Sequence, residues 1–163
     1  MTIELRAANA ADAAAIARIH NQGIEDRVAT FETEPRSAAQ VEALLVARAG
    51  SHPAVVAGDA DGVVGFAWVS PYSDRDCYRG IGDFSVYVAR GRRGTGVGRL
   101  LVEALAEACR ERGFWKLLSK IFPENEASRA LCRVAGFSEV GVHHRHAQLD
   151  GVWRDVIVVE RLL

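Results

Sequence analysis

The chain has 163 residues, 49% of them apolar and 25% charged, with a formal net charge of −1. That is the size and balance of one globular domain, 1–163, and it gives no electrostatic footprint for nucleic acid. No basic-then-apolar leader opens the sequence and no apolar run approaches the roughly 18 residues of a membrane span, so a cytosolic protein is expected, without membrane or nucleic-acid partners.

Ile3-Glu4-Leu5-Arg6 reads as a first strand. Asn9 or Asp12 then caps an alanine-rich helix with apolar positions at Ala15, Ile16, Ile19 and Ile24. A second helix is predicted over 38–48, introduced by Pro35 and capped by Ser37. Residues 54–57 and 63–69, hinged at Asp61-Gly62, read as an antiparallel hairpin. Phe84-Ser85-Val86-Tyr87-Val88-Ala89 alternates as a strand, and Val97, Leu100, Leu101, Ala104, Leu105 and Ala108 recur at helical spacing up to Gly113. Residues 116–121 form another strand and 126–135 a helix stopped by Gly136. Two final strands, 139–149 and 152–161, turn at Asp150-Gly151. This order gives an α/β fold, a mixed sheet with helices on both faces. Cys77, Cys109 and Cys132 are odd in number and far apart, which suits reduced thiols and gives neither a disulfide framework nor zinc-ligand spacing. No metal site is implied.

The most informative stretch is Arg92-Arg93-Gly94-Thr95-Gly96-Val97-Gly98-Arg99, lying between a strand and a helix. Its alternate glycines leave peptide N–H groups uncovered, and the following helix adds the positive end of its dipole, a combination that binds phosphate. A dinucleotide fingerprint needs glycine where Arg99 stands, and a P-loop needs a Gly-Lys-Ser/Thr ending that is absent. What remains is Arg-x-x-Gly-x-Gly at Arg93, Gly96 and Gly98, with a bare helix-capping turn as the structural alternative.

That motif, followed by Asn125 and the pair Gly136-Phe137, resembles the GCN5-related N-acetyltransferases, which bind acetyl-coenzyme A. Phe31 with Thr33-Glu34-Pro35, Tyr78-Arg79 before Asp83-x-x-Val86-Tyr87-Val88, and Trp153-x-Asp155-Val156 are similar to the phosphinothricin N-acetyltransferases. Phe114-Trp115-Lys116 and the run from Ile121 to Asn125 are most similar to their arsinothricin branch. The resemblance spans nearly the whole chain. It implies a mostly antiparallel sheet of about seven strands, splayed between the fourth and fifth, and a homodimer to which the final strands contribute. It also implies acetyl-coenzyme A as co-substrate, with Val86, Tyr87 and Val88 on the pantetheine arm and Arg93, Gly94, Thr95, Gly96, Val97, Gly98 and Arg99 cradling the pyrophosphate. Splaying leaves backbone amides that such an arm can satisfy like an added strand. Asn125, with Ser128 beside it, is expected against the pantetheine, or caps the following helix, or does both.

The implied reaction acetylates the α-amine of a glutamate-analogue antimetabolite: phosphinothricin, arsinothricin or methionine sulfoximine. Asp83 stands where the family has a proposed catalytic carboxylate, generally glutamate; it is a base acting through water, a holder of the substrate ammonium, or a strand cap. The Val88 N–H is the expected oxyanion donor. Many relatives have a tyrosine where Cys132 stands, and a small cysteine there reads as helix packing, leaving Tyr87, Tyr78 or water as the source of the thiolate's proton. Arg75 and Arg79 are candidate grips for an anionic acceptor or solvated loop residues, and Phe31 a pocket wall or core. His146, in a cluster with His143 and His144, either reaches substrate or lies on a half-exposed strand face. Trp153 contacts substrate or packs the sheet or a dimer seam, and His20 reads as structural. Acetylation of another small amine, or acyl-coenzyme A sensing without catalysis, are the rival readings.

Overall fold

In the computed structural model, which describes residues 2–163, β1 (Glu4–Ala7) enters a short 3-10 turn at Ala10–Asp12 and then α1 (Ala13–Asp26). Asn9 and Asp12 share the start of this helix rather than competing for it. Asn9 Oδ1 accepts from the Ala11 N–H at 2.9 Å, and the Asp12 carboxylate accepts from the Asn9 N–H at 2.9 Å while Arg6 grips both its oxygens at 2.8 Å. The Arg6 guanidinium holds the Asp12 carboxyl below its usual range. A left-handed Arg27, at φ 59°, ends α1. Ser37 caps α2 (Ala38–Arg48) as expected: its hydroxyl accepts from the Gln40 N–H, and the Gln40 side chain accepts from the Ser37 N–H.

The sheet continues with β2 (Ala54–Asp59) and β3 (Gly62–Pro71), then β4 (Ile81–Val88). α3 (Val97–Glu111), β5 (Lys116–Ile121) and α4 (Glu126–Val134) follow, and β6 (Ser138–Leu149) and β7 (Val152–Leu162) close the chain. β4 begins three residues before the alternating run that announced it. Ile81, Gly82 and Asp83 lack a strand pattern of their own and are held extended by β5 on one side and, at Gly82 and Asp83, by Pro71 and Ser70 of β3 on the other. Asp150 and Gly151, both at positive φ, make the tight β6–β7 turn. β6 does not alternate cleanly. Its register slips between His143 and Ala147, where Arg145 takes φ 48°, and this bulge stacks His143 on His146 at 4.8 Å.

The strand order is β1-β2-β3-β4-β5-β7-β6, antiparallel except for β4 and β5. Leu101, Val102, Leu105 and Cys109 of α3 pack with Val55, Ala67, Phe84, Leu117 and Phe137 on one face, while α1 and α2 cover Val56, Phe66 and Trp68 on the other. Each fully buried leucine or isoleucine of these seams contributes about 1.5–3 kcal/mol. With both faces covered and β5 tied along its whole length to β7, β4 and β5 are free to part at one end only. Their parallel pairing holds Ile81, Gly82 and Asp83 against Lys116, Leu117 and Leu118 and then stops. From there to Val88 and Ile121 the two strands diverge.

Candidate active site

The divergence is made at its vertex by a side chain that replaces the ladder. Ser119 Oγ donates to the Phe84 carbonyl at 2.9 Å, filling the place of the next β5 backbone donor. Strand alternation then turns the N–H and C=O of Val86 and Val88 toward the gap, since Tyr87 and Ser85 face β3. The cleft so opened has Val86 and Tyr87 on one wall and Ser119, Lys120 and Ile121 on the other. Asn125, Ser128, Leu131 and Cys132 form its α4 side. Unpaired amides along such a wall cost free energy unless something bonds to them.

At the wide end of the cleft lies loop 92–99. Gly94 and Gly96 sit at φ 74° and 89°, and a Cβ added at either would meet no atom within 4 Å, so the loop surface there is bare backbone. Gly96 is the residue before α3, and no side chain caps that helix, leaving its first N–H groups for an anion. The arginines are spent elsewhere. Arg92 pairs with Asp59 and Asp61 at 2.8 Å, Arg90 with Glu25 and Asp26, and Arg93 with Asp26 at 2.7 Å while its Nε donates to the Val88 carbonyl at 3.1 Å. Arg90 first, then Arg93, holds the Asp26 carboxyl below its usual range. The basic cluster of the sequence thus locks the loop to α1 and the β2–β3 turn. Arg99 alone in 92–99 among the described arginines is exposed without a carboxylate partner.

Asn125 does two jobs at the start of α4. Its Oδ1 accepts from the Ser128 N–H at 3.2 Å, and its Nδ2 donates to the Val28 carbonyl at 3.0 Å, tying the α1–α2 connection to the cleft. Asp83 stands at the vertex, where β4 and β5 part, and Lys120 Nζ lies 3.2 Å from its Oδ2.

A family model described as acetyltransferase (GNAT) family matches residues 16–137, three-quarters of the chain. The chain belongs to the GNAT acetyltransferase family. The acetyltransferase is 33% identical over 162 residues to the L-methionine sulfoximine/L-methionine sulfone acetyltransferase of Pseudomonas paraeruginosa, covering 98% of this chain and 94% of that one. It is 30% identical to the phosphinothricin N-acetyltransferase of Streptomyces viridochromogenes, over 94% and 84% of the two chains. Among solved structures, a GNAT superfamily phosphinothricin acetyltransferase from Sinorhizobium meliloti in complex with acetyl-coenzyme A superposes with a TM-score of 0.92 at 33% identity, over 100% of this chain and 89% of that one.

Of the residues the sequence singled out, the acetyltransferase brings Val86, Tyr87, Asn125 and Ser128 together in the cleft, with Asp83 at its vertex and 93–99 at its open end. Tyr87 is the most constrained of them. Its ring packs so closely on Gly23 that a Cβ there would lie 2.6 Å from it, and His20 sits 4.9 Å away. Burial, and after it the charge of Glu32, push the Tyr87 hydroxyl up to about 12. Burial likewise pushes the Cys132 thiol up to about 11, and Cys132 lines the α4 side of the cleft within the hydrophobic core.

The remaining expected residues stand away from the cleft. Phe31 packs edge-on against Phe122 at 4.8 Å, in a small cluster with Leu149 and Val156. On the exposed β3–β4 connection, Arg79 lies beside Asp76 and over the ring of Trp115, which precedes β5, while Arg75 lies over the Tyr78 ring. His146 and Trp153 are exposed on the outer hairpin, where Arg145 covers the Trp153 ring at 5.1 Å.

Two partners were missed by sequence reasoning. Lys120 is 37 residues from Asp83, and only the parallel pairing of β4 and β5 brings them together. Glu32, passed over between Phe31 and Thr33, pairs with a buried histidine: its carboxylate lies 3.0 Å from His20 Nε2 and also pairs with Arg36, whose guanidinium lies over Trp68. The bond with His20 and then that with Arg36 pull the Glu32 carboxyl down to about 2. His20 Nδ1, buried, has no hydrogen-bond partner among the described residues.

Proposed function

We propose that this enzyme transfers an acetyl group from acetyl-coenzyme A to the α-amino group of a glutamate-analogue antimetabolite, of the phosphinothricin, arsinothricin or methionine sulfoximine kind, and so detoxifies it in the cytosol. The observation that carries this reading is the splay itself: a β4 edge whose Val86 and Val88 N–H groups have no ladder partner on β5, running from a carboxylate at the vertex to an uncapped, glycine-lined helix start. The names of the relatives supply the acceptor class.

The residues present fit the cofactor. Val86 and Val88 offer strand-like bonds to a pantetheine arm, and the bare N–H groups of 94–99 offer an anion cradle with Arg99 free beside it. Acetyl-coenzyme A, when bound, supplies the thioester carbonyl that the amine attacks. The Val88 N–H donates to the oxygen that becomes negative there, a donor fixed by the β3 ladder before the reaction begins. An α-amine with a pKa of roughly 8 is about one-tenth neutral at pH 7, so deprotonation accounts for only about 1.4 kcal/mol and positioning matters more. Asp83 holds the ammonium and takes its proton, through water given its short side chain, while Lys120 balances the carboxylate's charge; the carbon–sulfur bond breaks as the amide forms, and the departing thiolate takes its proton from water. A homodimer through the outer hairpin, with exposed Val140, Val142, Val152 and Trp153, completes the proposal and gives His146 and Trp153 their place.

A thiol-release assay over phosphinothricin, arsinothricin, methionine sulfoximine, ordinary amino acids and polyamines tests the reading. Release with the first three at the highest kcat/KM is the expected result. Preference for a polyamine or a common amino acid assigns another acceptor, and coenzyme A binding without release from any amine indicates a sensor.

A further inference from the structure

On the sheet face covered by α1 and α2, a half-buried arginine lacks a counter-charge among the described residues. Arg36 has Glu32 and the Trp68 ring, whereas Arg48, at the C-terminal end of α2, has no carboxylate partner among the described residues. It reaches over β3, half buried, and Nη1 donates to Ser70 Oγ at 3.1 Å. Burial, and then the nearby Arg36, lower its pKa, the sign of a cation held without its anion.

The place to which it is held matters. Ser70 is registered directly opposite Asp83 across the β3–β4 ladder, so the two side chains share a face with their Cβ atoms about 5 Å apart. Lys120 stands on the other flank of Asp83. Across three adjacent strands the order is therefore guanidinium, carboxylate, ammonium.

We propose that Arg48, positioned by Ser70, holds the α-carboxylate of an amino-acid acceptor whose ammonium lies at Asp83. The inference rests on the acetyl-transfer reading above and deepens it. An α-amino acid carries its ammonium and carboxylate on one carbon, and charge-assisted bonds of about 2.8 Å at each end let it bridge groups one strand apart. A guanidinium offers the carboxylate two parallel bonds, and Arg48 commits a single nitrogen to Ser70. Arg79 is engaged by Asp76 and Trp115, and Arg75 stands on the exposed connection, so neither matches this register. The consequence is selection of amino acids over simple amines.

The test compares methionine sulfone with 3-(methylsulfonyl)propylamine, the same molecule without its carboxylate, on the wild-type enzyme, Arg48→Gln, Arg48→Lys and Ser70→Ala. Arg48→Gln is expected to lower kcat/KM for methionine sulfone about 10- to 100-fold, mainly through KM, and to change that for the amine far less. Arg48→Lys restores part of the loss, and Ser70→Ala shows a smaller loss of the same kind. Equal effects on acid and amine, or none on either, overturn the inference. Calorimetric titration of phosphinothricin into the enzyme with coenzyme A present reads the same site without turnover. Binding at least tenfold weaker to Arg48→Gln than to wild type supports it, and equal binding refutes it. Failure of wild type to release thiol from any amine refutes the acetyl-transfer reading separately. Unchanged coenzyme A affinity and thermal midpoint show that the variants are folded.

Discussion

The two sides of the cleft are built by different means. Along 92–99 and the free edge of β4, the groups turned to the cleft are peptide N–H groups, and the arginines that mark the stretch in sequence are turned away to Asp26, Asp59 and Asp61. On the proposed acceptor side the groups are side chains, Asp83 from β4, Lys120 from β5 and, by the inference above, Arg48 from α2, with the Glu32–His20–Arg36 group of the α1–α2 region behind them. A backbone surface is set by φ, ψ and glycine and changes only with the fold. A side-chain surface can change one residue at a time while the sheet stays as it is. A fold made this way keeps one donor and accommodates many acceptors.

The comparison breaks most visibly at Asp83. Asp83→Asn should lower kcat/KM by about 10²–10⁴-fold and leave coenzyme A binding intact, because it removes a proton acceptor from the side-chain surface alone. The reaction then depends on amine that loses its proton unaided, so activity should climb through about pH 8 and the optimum move upward. Unchanged activity from pH 6 to 9 would dismiss the base role. The reciprocal change is Gly96→Val. At φ 89° a branched residue carries about 1–2 kcal/mol of strain, and its side chain would occupy the bare loop surface. Coenzyme A should bind more than tenfold more weakly by calorimetry, with the acceptor KM little altered. Normal coenzyme A binding by this variant would sink the idea of a backbone-built cradle.

This difference also explains what the sequence disclosed. Loop 92–99, the Ser37 cap, and β5 at Lys116–Ile121 depend on residues close together in the chain, and each lies where local pattern places it. Parting of β4 and β5 was legible only through family resemblance, since nothing local announces that Ser119 replaces a ladder bond. Arg92 and Arg93 show the limit on the other side. Their charge signalled an anion site, yet their partners lie 33 and 67 residues away, and no local pattern announces those carboxylates. The pairs Asp83–Lys120 and Arg48–Ser70 depend on strand register and helix placement, which composition and periodicity do not encode.

A smaller effect probes the vertex between the two sides. Ser119→Ala leaves the partly buried Phe84 carbonyl without its donor and should cost about 1 kcal/mol in urea unfolding. A loss near zero would mean that the splay is held open by packing alone.

The smallest effect concerns the Glu32 group that backs the side-chain surface. The Glu32 carboxyl is held at about 2 in the folded protein, against 4.5 ordinarily, chiefly by His20 and then by Arg36. The folded state thus binds its proton less readily than the unfolded chain does. The stability this confers is fully present above about pH 4.5 and is lost as pH falls toward 2. Glu32→Gln keeps the shape without the titration, so the gap between wild type and variant should be widest near pH 7 and shrink between pH 4.5 and 2. With 42% of the Glu32 side chain exposed, solvent screening limits that gap to a fraction of what the shift alone suggests, within about 1 kcal/mol. Asp12 and Asp26 are also held low, but both proteins share them and they cancel in the difference. Urea midpoints of the two proteins at pH 7, 4.5 and 3 measure it. A gap that stays constant across that range would mean that His20 and Arg36 position Glu32 without holding its charge, and the support beneath Tyr87 would then be packing and not electrostatics.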